Sequence, residues 1–185
     1  MIKVTLPDGS IKEFESNSTP FDVARSISEG LARNIISASY NGTTIETTTP
    51  LTNDGALVLY TFNDDEGKKA FWHSSAHVLA ETILEFYPEA KLTIGPAIEN
   101  GFYYDLDLGE HIISEKDFQQ IEKKFLELAR GKHQFKMRSV SKADALSMYV
   151  KEDNSYKVEL IEGLTDGDIT FCDHNNFTDL CRGGH

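Results

Sequence analysis

Three observations predict an α+β fold in two parts. Residues 2–15 alternate apolar and polar side chains on either side of Pro7-Asp8-Gly9, the pattern of a hairpin with one buried face. A long run from Lys68 to Tyr87 carries apolar residues on more than one helical face and is stopped by Pro88, which reads as a deeply buried helix. Beyond it, antiparallel strands and helices are mixed, an α+β arrangement.

The opening part, residues 1–62, begins with that hairpin. Thr19-Pro20-Phe21-Asp22 then supplies a capping hydroxyl, a proline at the first helical position and an acid in the first turn; Val23, Ala24 and Ile27 follow at helical spacing to near Gly30. Ile35 to Tyr40 and Ala56 to Tyr60 read as strands, and Asn41-Gly42 turns the first of them into a short strand around Thr43 to Thr47. Strand, strand, helix, strands is the order of a ubiquitin-like β-grasp fold. Its hydroxyls, Asp and Gly residues sit at turns, and turn chemistry accounts for them.

Asn63 to Gly67 is a short acidic run that marks the boundary, so the second domain is expected over 63–185. After the long helix, Lys91 to Asn100 and Gly101 to Asp107 predict two strands turning at Asn100-Gly101. Gly95-Pro96 brings backbone close to whatever occupies a nearby pocket, and Tyr104 faces away from Tyr103 and Asp105. Ser114 caps a helix whose apolar stripe ends at Gly131. Gln134 to Val140 reads as a strand, Ser141 to Lys151 as a helix, Tyr156 to Leu160 as either, and Ile169 to Cys172 as a strand.

The chain has 185 residues, 39% hydrophobic and 26% charged, enough for one medium domain or two small ones. It holds no apolar run of about 18 residues and opens without a signal-peptide pattern, so a cytoplasmic protein is expected. Cys172 and Cys181 are too few for a disulfide framework. A net charge of −12 argues against broad binding to polyanions. One local exception stands out, because Arg130, Lys132, Lys136, Arg138 and Lys142 are the only charged side chains between Glu127 and Asp144. Two readings stand for that strip, a solvated basic surface and a phosphate contact.

Chemistry concentrates in two pairs. His73 and His77, four apart on the long helix, project one above the other from one face. Cys181 and His185 repeat the spacing at the end of the chain. Together they offer four groups of the kind that hold zinc or line a hydrolytic pocket. One histidine among apolar neighbours is ordinarily a hydrogen-bonded core residue; two in register shift the weight toward a site.

His73-Ser-Ser-Ala-His77, the run Lys91-Leu-Thr-Ile-Gly-Pro-Ala-Ile-Glu-Asn-Gly-Phe-Tyr-Tyr-Asp105 and Asp179-Leu-Cys-Arg-Gly-Gly-His185 closely resemble the bacterial threonyl-tRNA synthetases. The resemblance covers the whole chain: residues 1–62 look like that family's TGS domain and 63–185 like its editing domain. The alanyl-tRNA synthetase editing domain shares the two pairs, but the opening module and the Tyr-Tyr-Asp strand favour the threonyl family.

The resemblance implies hydrolysis of seryl-tRNA(Thr) at the tRNA acceptor end, with His73, His77, Cys181 and His185 lining the pocket. His73 is expected to position the water or a ribose hydroxyl, with Lys157, in Asn154-Ser-Tyr-Lys157, as partner for acid–base work or oxyanion stabilisation. Tyr104 and Asp179 are candidates for the seryl amine and hydroxyl or the adenosine, with Gly95 and Pro96 beside them; a packing role for Tyr104 and a turn or cap role for Asp179 are the alternatives. No metal is expected to be required, although zinc has a ligand set in the same four residues. The family's ATP, threonine and zinc sites and its dimer contacts lie in domains beyond His185, so neither aminoacylation nor dimerisation is expected of this chain alone; the far edge of the editing domain is expected to be truncated. A zinc-dependent deacylase of the alanyl type and a noncatalytic tRNA-binding module are the alternative functions.

Overall fold

The computed structural model describes residues 1–185, which pack into two compact units, Met1–Trp72 with Gly183–His185, and His73–Arg182. The first is a mixed sheet with strand order β2-β1-β5-β3-β4, built from β1 (Ile2–Thr5), β2 (Ile11–Phe14), β3 (Ile35–Tyr40), β4 (Thr43–Glu46) and β5 (Gly55–Thr61). Only β1 and β5 run parallel; the hairpins β1–β2 and β3–β4 and the β3–β5 pair are antiparallel. This is the β-grasp topology that the element order predicts. Gly9 and the Asn41-Gly42 pair take positive φ at the two hairpin turns, as those tight turns demand. Val4, Val23, Ala38, Leu51 and Leu57 form the core, brought together because alternate strand residues and one stripe of helix α1 (Pro20–Ile27) face inward.

Thr19 caps α1 through a reciprocal box. Its hydroxyl accepts from the Asp22 N–H, and the Asp22 carboxylate accepts from the Thr19 N–H. The helix does not reach Gly30 unbroken: Ser28 is extended and its hydroxyl caps a second short helix, α2 (Glu29–Asn34). A serine that satisfies a new N-terminus competes with helix continuation, which periodicity alone does not register.

Helix α3 (Asp65–Phe86) leads from the first unit into the second. Sequence places the change of domain at 62/63; by packing, the helix's first turns group with the first unit, where Phe71 and Trp72 meet Phe62 edge-on at 5.1 and 5.9 Å.

In the second unit, the two strands expected over 91–107 appear as short paired pieces: β6 (Lys91–Leu92) with β9 (Leu106–Asp107), and β7 (Ala97–Ile98) with β8 (Gly101–Phe102). Pro96 lacks an N–H to donate, and the ladder opens around it. Helix α4 (Glu115–Arg130) follows, then β10 (Lys136–Ser139), α5 (Lys142–Lys151), α6 (Ser155–Glu162), β11 (Thr170–His174) and β12 (Phe177–Leu180). The ambiguous stretch around Tyr156 is helical because Asn154 caps it, accepting from the Lys157 N–H at 3.1 Å. Strands β10, β11 and β12 make an antiparallel sheet whose apolar face, with Phe171 at its centre, packs on Ala145, Tyr149 and Ile161 of α5 and α6. A second cluster joins Ala80 of α3 to Leu92 and Phe177. No helix is long and apolar enough to cross a membrane.

Candidate functional site

Within the second unit, a pocket of about 410 Å³ is lined by His73, His77, Gly95, Pro96, Tyr104, Lys157, Asp179 and Cys181. Every site residue predicted between 73 and 182, outside the basic strip, thus reaches one cavity. Helix α3 presents His73 and His77 a turn apart, ring centres 5.0 Å from each other. Cys181, just past β12, sets its Sγ 3.4 Å from His73 Nε2. The ligand atoms of His73, His77 and Cys181 lie within 4.8 Å of one another. His185 is buried and packs with the first unit, as do Gly183 and Gly184; there the Gly184 N–H donates to the Glu46 carboxylate.

Asp179 is the hub of the opposite wall. One carboxylate oxygen accepts from the Lys157 ammonium at 2.6 Å, the Tyr149 hydroxyl at 3.1 Å and the Leu180 N–H at 2.8 Å. The other accepts from the Tyr104 hydroxyl at 2.6 Å. Lys157 and Asp179 are both almost wholly buried, with side-chain exposures of 3% and 4%. Charges taken this far from water persist only when paired and hydrogen-bonded, and here both are. Burial, and after it the charge of Asp179, pushes the Tyr104 and Tyr149 hydroxyls far above the ordinary phenol range, so both remain donors. The same causes, in the same order, raise the Glu152 carboxyl nearby.

Asp179 caps no helix; it anchors a lysine and two tyrosines. Tyr104 both packs and bonds, its ring lying on Gly95 and its hydroxyl on Asp179. A methyl group built on Gly95 would stand 2.3 Å from the Tyr104 ring, so the glycine is required for that ring's position as well as for backbone at the pocket wall. Gly95→Ala therefore displaces Tyr104 from Asp179. The expected loss is about 1–3 kcal/mol of stability for an overpacked site, read by urea unfolding; unchanged stability would mean that the ring has room to move.

Tyr149 escaped sequence reading. On an amphipathic helix an aromatic residue looks like core, and it is core; only its hydroxyl, directed at a residue 30 positions away, gives it a part in the site.

Of the basic strip, Arg130, Lys132, Lys136 and Arg138 are exposed. Arg138 pairs with Asp173 at 2.7 Å and lies over Phe171. Lys142 turns back to the end of α6, donating to the carbonyls of Glu162 and Leu164 at 2.8 Å each.

Comparison with known proteins matches residues 2–61 to the TGS domain family. Over all 185 residues the chain is 67% identical to a threonine–tRNA ligase of Flavobacterium johnsoniae, 65% to one of Flavobacterium psychrophilum and 52% to one of Cytophaga hutchinsonii. It spans 28% of the length of the first two relatives and 29% of the third. This chain, carrying a TGS domain, is thus homologous along its whole length to the amino-terminal region of the bacterial threonine–tRNA ligases.

Proposed function

We propose that the chain proofreads threonine attachment, hydrolysing the ester of seryl-tRNA(Thr) at the terminal adenosine. The observation that carries this reading is the convergence of His73, Cys181, Tyr104, Lys157 and Asp179 on one cavity. The relatives are threonine–tRNA ligases, and such an enzyme has a physical need for a second site. Serine keeps the threonine hydroxyl and lacks one methyl, worth only about 1–3 kcal/mol of discrimination in a single pocket.

His73 orients the attacking water or a ribose hydroxyl. Lys157 serves the carbonyl oxygen as negative charge develops there. Between its two expected roles the second is favoured, because giving up a proton would leave the Asp179 carboxylate buried beside a neutral amine. Tyr104 and Asp179 form the wall against which the seryl group is held. The acceptor end of tRNA(Thr) is the partner, and Arg130, Lys132 and Lys136, which are exposed, are the proposed contacts for backbone phosphates. Aminoacylation is proposed for other parts of the longer relatives.

Zinc-dependent hydrolysis is the second reading, favoured by the approach of His73, His77 and Cys181. These three residues would hold the ion, which would supply a nucleophilic hydroxide. The test is hydrolysis of seryl-tRNA(Thr) against threonyl-tRNA(Thr), with and without a chelator. Selective, chelator-resistant loss of serine is expected. Chelator-sensitive turnover would favour zinc, and binding without hydrolysis would favour a noncatalytic tRNA module.

A further inference from the structure

Beyond the pocket, one buried polar cluster is used by none of the steps above. Glu81 lies on α3 one turn past His77 and two past His73, in the same stripe of the helix. It is 5% exposed, and its two carboxylate oxygens are divided between two donors. Oε2 lies 2.8 Å from His174 Nδ1, and Oε1 accepts from the Asn175 side-chain amide at 2.7 Å. His174 ends β11 and Asn175, at positive φ, begins the turn into β12. His174 is itself 2% exposed and stacks on Phe135 at 4.3 Å, while His77 meets Phe135 and Phe177 edge-on at 6.3 and 6.0 Å.

Helix α3 and the β11–β12 hairpin therefore meet at two places. At the open end of the hairpin, Cys181 reaches His73; at the turn, His174 and Asn175 reach Glu81. The hairpin register pairs His174 with Phe177 and Cys172 with Asp179, so fixing the turn fixes where Asp179 and Cys181 emerge. Without the Glu81 attachment, the turn could rock about the helix and carry Asp179 and Cys181 with it. Misplacement of reacting groups by about 1 Å costs on the order of 10²-fold in rate.

We infer that Glu81 and His174 are positioning residues of the hydrolytic site, clamping the β11–β12 hairpin onto α3 so that Cys181 and Asp179 stand opposite His73. The inference rests on the editing reading for what the site does, but the clamp itself has a signature independent of turnover. Iodoacetamide alkylation of Cys181 and Cys172, quantified separately by peptide mass spectrometry, reports whether the end of β12 has loosened.

In Glu81→Ala, Cys181 is expected to alkylate about tenfold faster while Cys172, in the central strand of its sheet, keeps its rate, because local opening at the clamp need not be global. The kcat for seryl-tRNA(Thr) is expected to fall about tenfold or more with KM within twofold. Glu81→Gln, which can still accept from His174 and meet a rotated Asn175 amide, is expected to restore both readouts to within about threefold. Unchanged Cys181 reactivity and kcat in folded Glu81→Ala would overturn the clamp, as would both cysteines accelerating together, the mark of general loosening. Should Glu81→Ala not fold, Asn175→Gly removes one arm, keeps the positive φ and is read the same way. If the unsubstituted chain does not hydrolyse seryl-tRNA(Thr), the editing reading fails and the alkylation rates alone decide the clamp.

Discussion

Replacing His73 with alanine is expected to lower kcat for seryl-tRNA(Thr) hydrolysis by about 10²–10³-fold, the scale on which a positioned acid–base group acts. KM and tRNA affinity should change little, because the role proposed for His73 is at the ester being cut and not at the exposed basic residues proposed for tRNA. The substitution also deletes the Nε2 that faces Cys181 Sγ at 3.4 Å. His77→Ala provides the comparison: its ring stands against Phe135 and Phe177, so it should cost stability as well as rate. Single-turnover deacylation with excess protein checks both. A His73→Ala chain that hydrolyses at the original rate would remove that residue from the mechanism, and a metal- or water-only pathway through the remaining groups would have to be considered in its place.

The second large effect concerns Asp179. Asp179→Ala leaves the Lys157 ammonium buried without a counter-charge and takes the acceptor from two tyrosine hydroxyls, with an expected loss of about 3–5 kcal/mol from the second unit. Tyr149→Phe, which deletes one hydroxyl and its bonds to Asp179 and the Leu180 N–H, should cost only about 1 kcal/mol. The diagnostic is the double variant Asp179→Asn with Lys157→Met. Removing both charges should leave the protein more stable than either single substitution predicts by addition, because the penalty for each single change is the stranded partner. Amide hydrogen exchange in β11 and β12 reads this locally, apart from the first unit. Additive losses would show that the pair contributes through packing and not through its charges. Either way, deacylation should be lost in both single variants, since Tyr104 and Lys157 take their positions from the same carboxylate.

How much of this was legible beforehand follows the distance over which each feature is determined. The β1–β2 hairpin, the capping box at Thr19, the Asn41-Gly42 turn and the pairing of His73 with His77 on one helical face were readable because neighbours within a few residues dictate them. The break at Ser28 was not, since a serine side chain either caps or points away and the pattern is the same. The opening of the ladder around Gly95-Pro96 was half legible: the proline was a visible obstacle to pairing, while the resting of the Tyr104 ring on Gly95 was not. The basic strip looked continuous in one dimension; folding turned Lys142 to the end of α6 and Arg138 to Asp173, because carbonyls and a carboxylate from other elements stood within reach.

Sequence by itself determined the element types, the β-grasp order and a short roster of groups able to do chemistry, because propensity, periodicity and capping are local. Only the tertiary structure decided which of those groups meet. Cys181 finds His73 across 108 positions and Tyr104 finds Asp179 across 75, while Glu81, which no motif marks, takes His174 across 93. The reason is physical: a carboxylate or thiol has the same local preferences whether it faces water or a partner, and only the packed core removes the water and leaves it the partner.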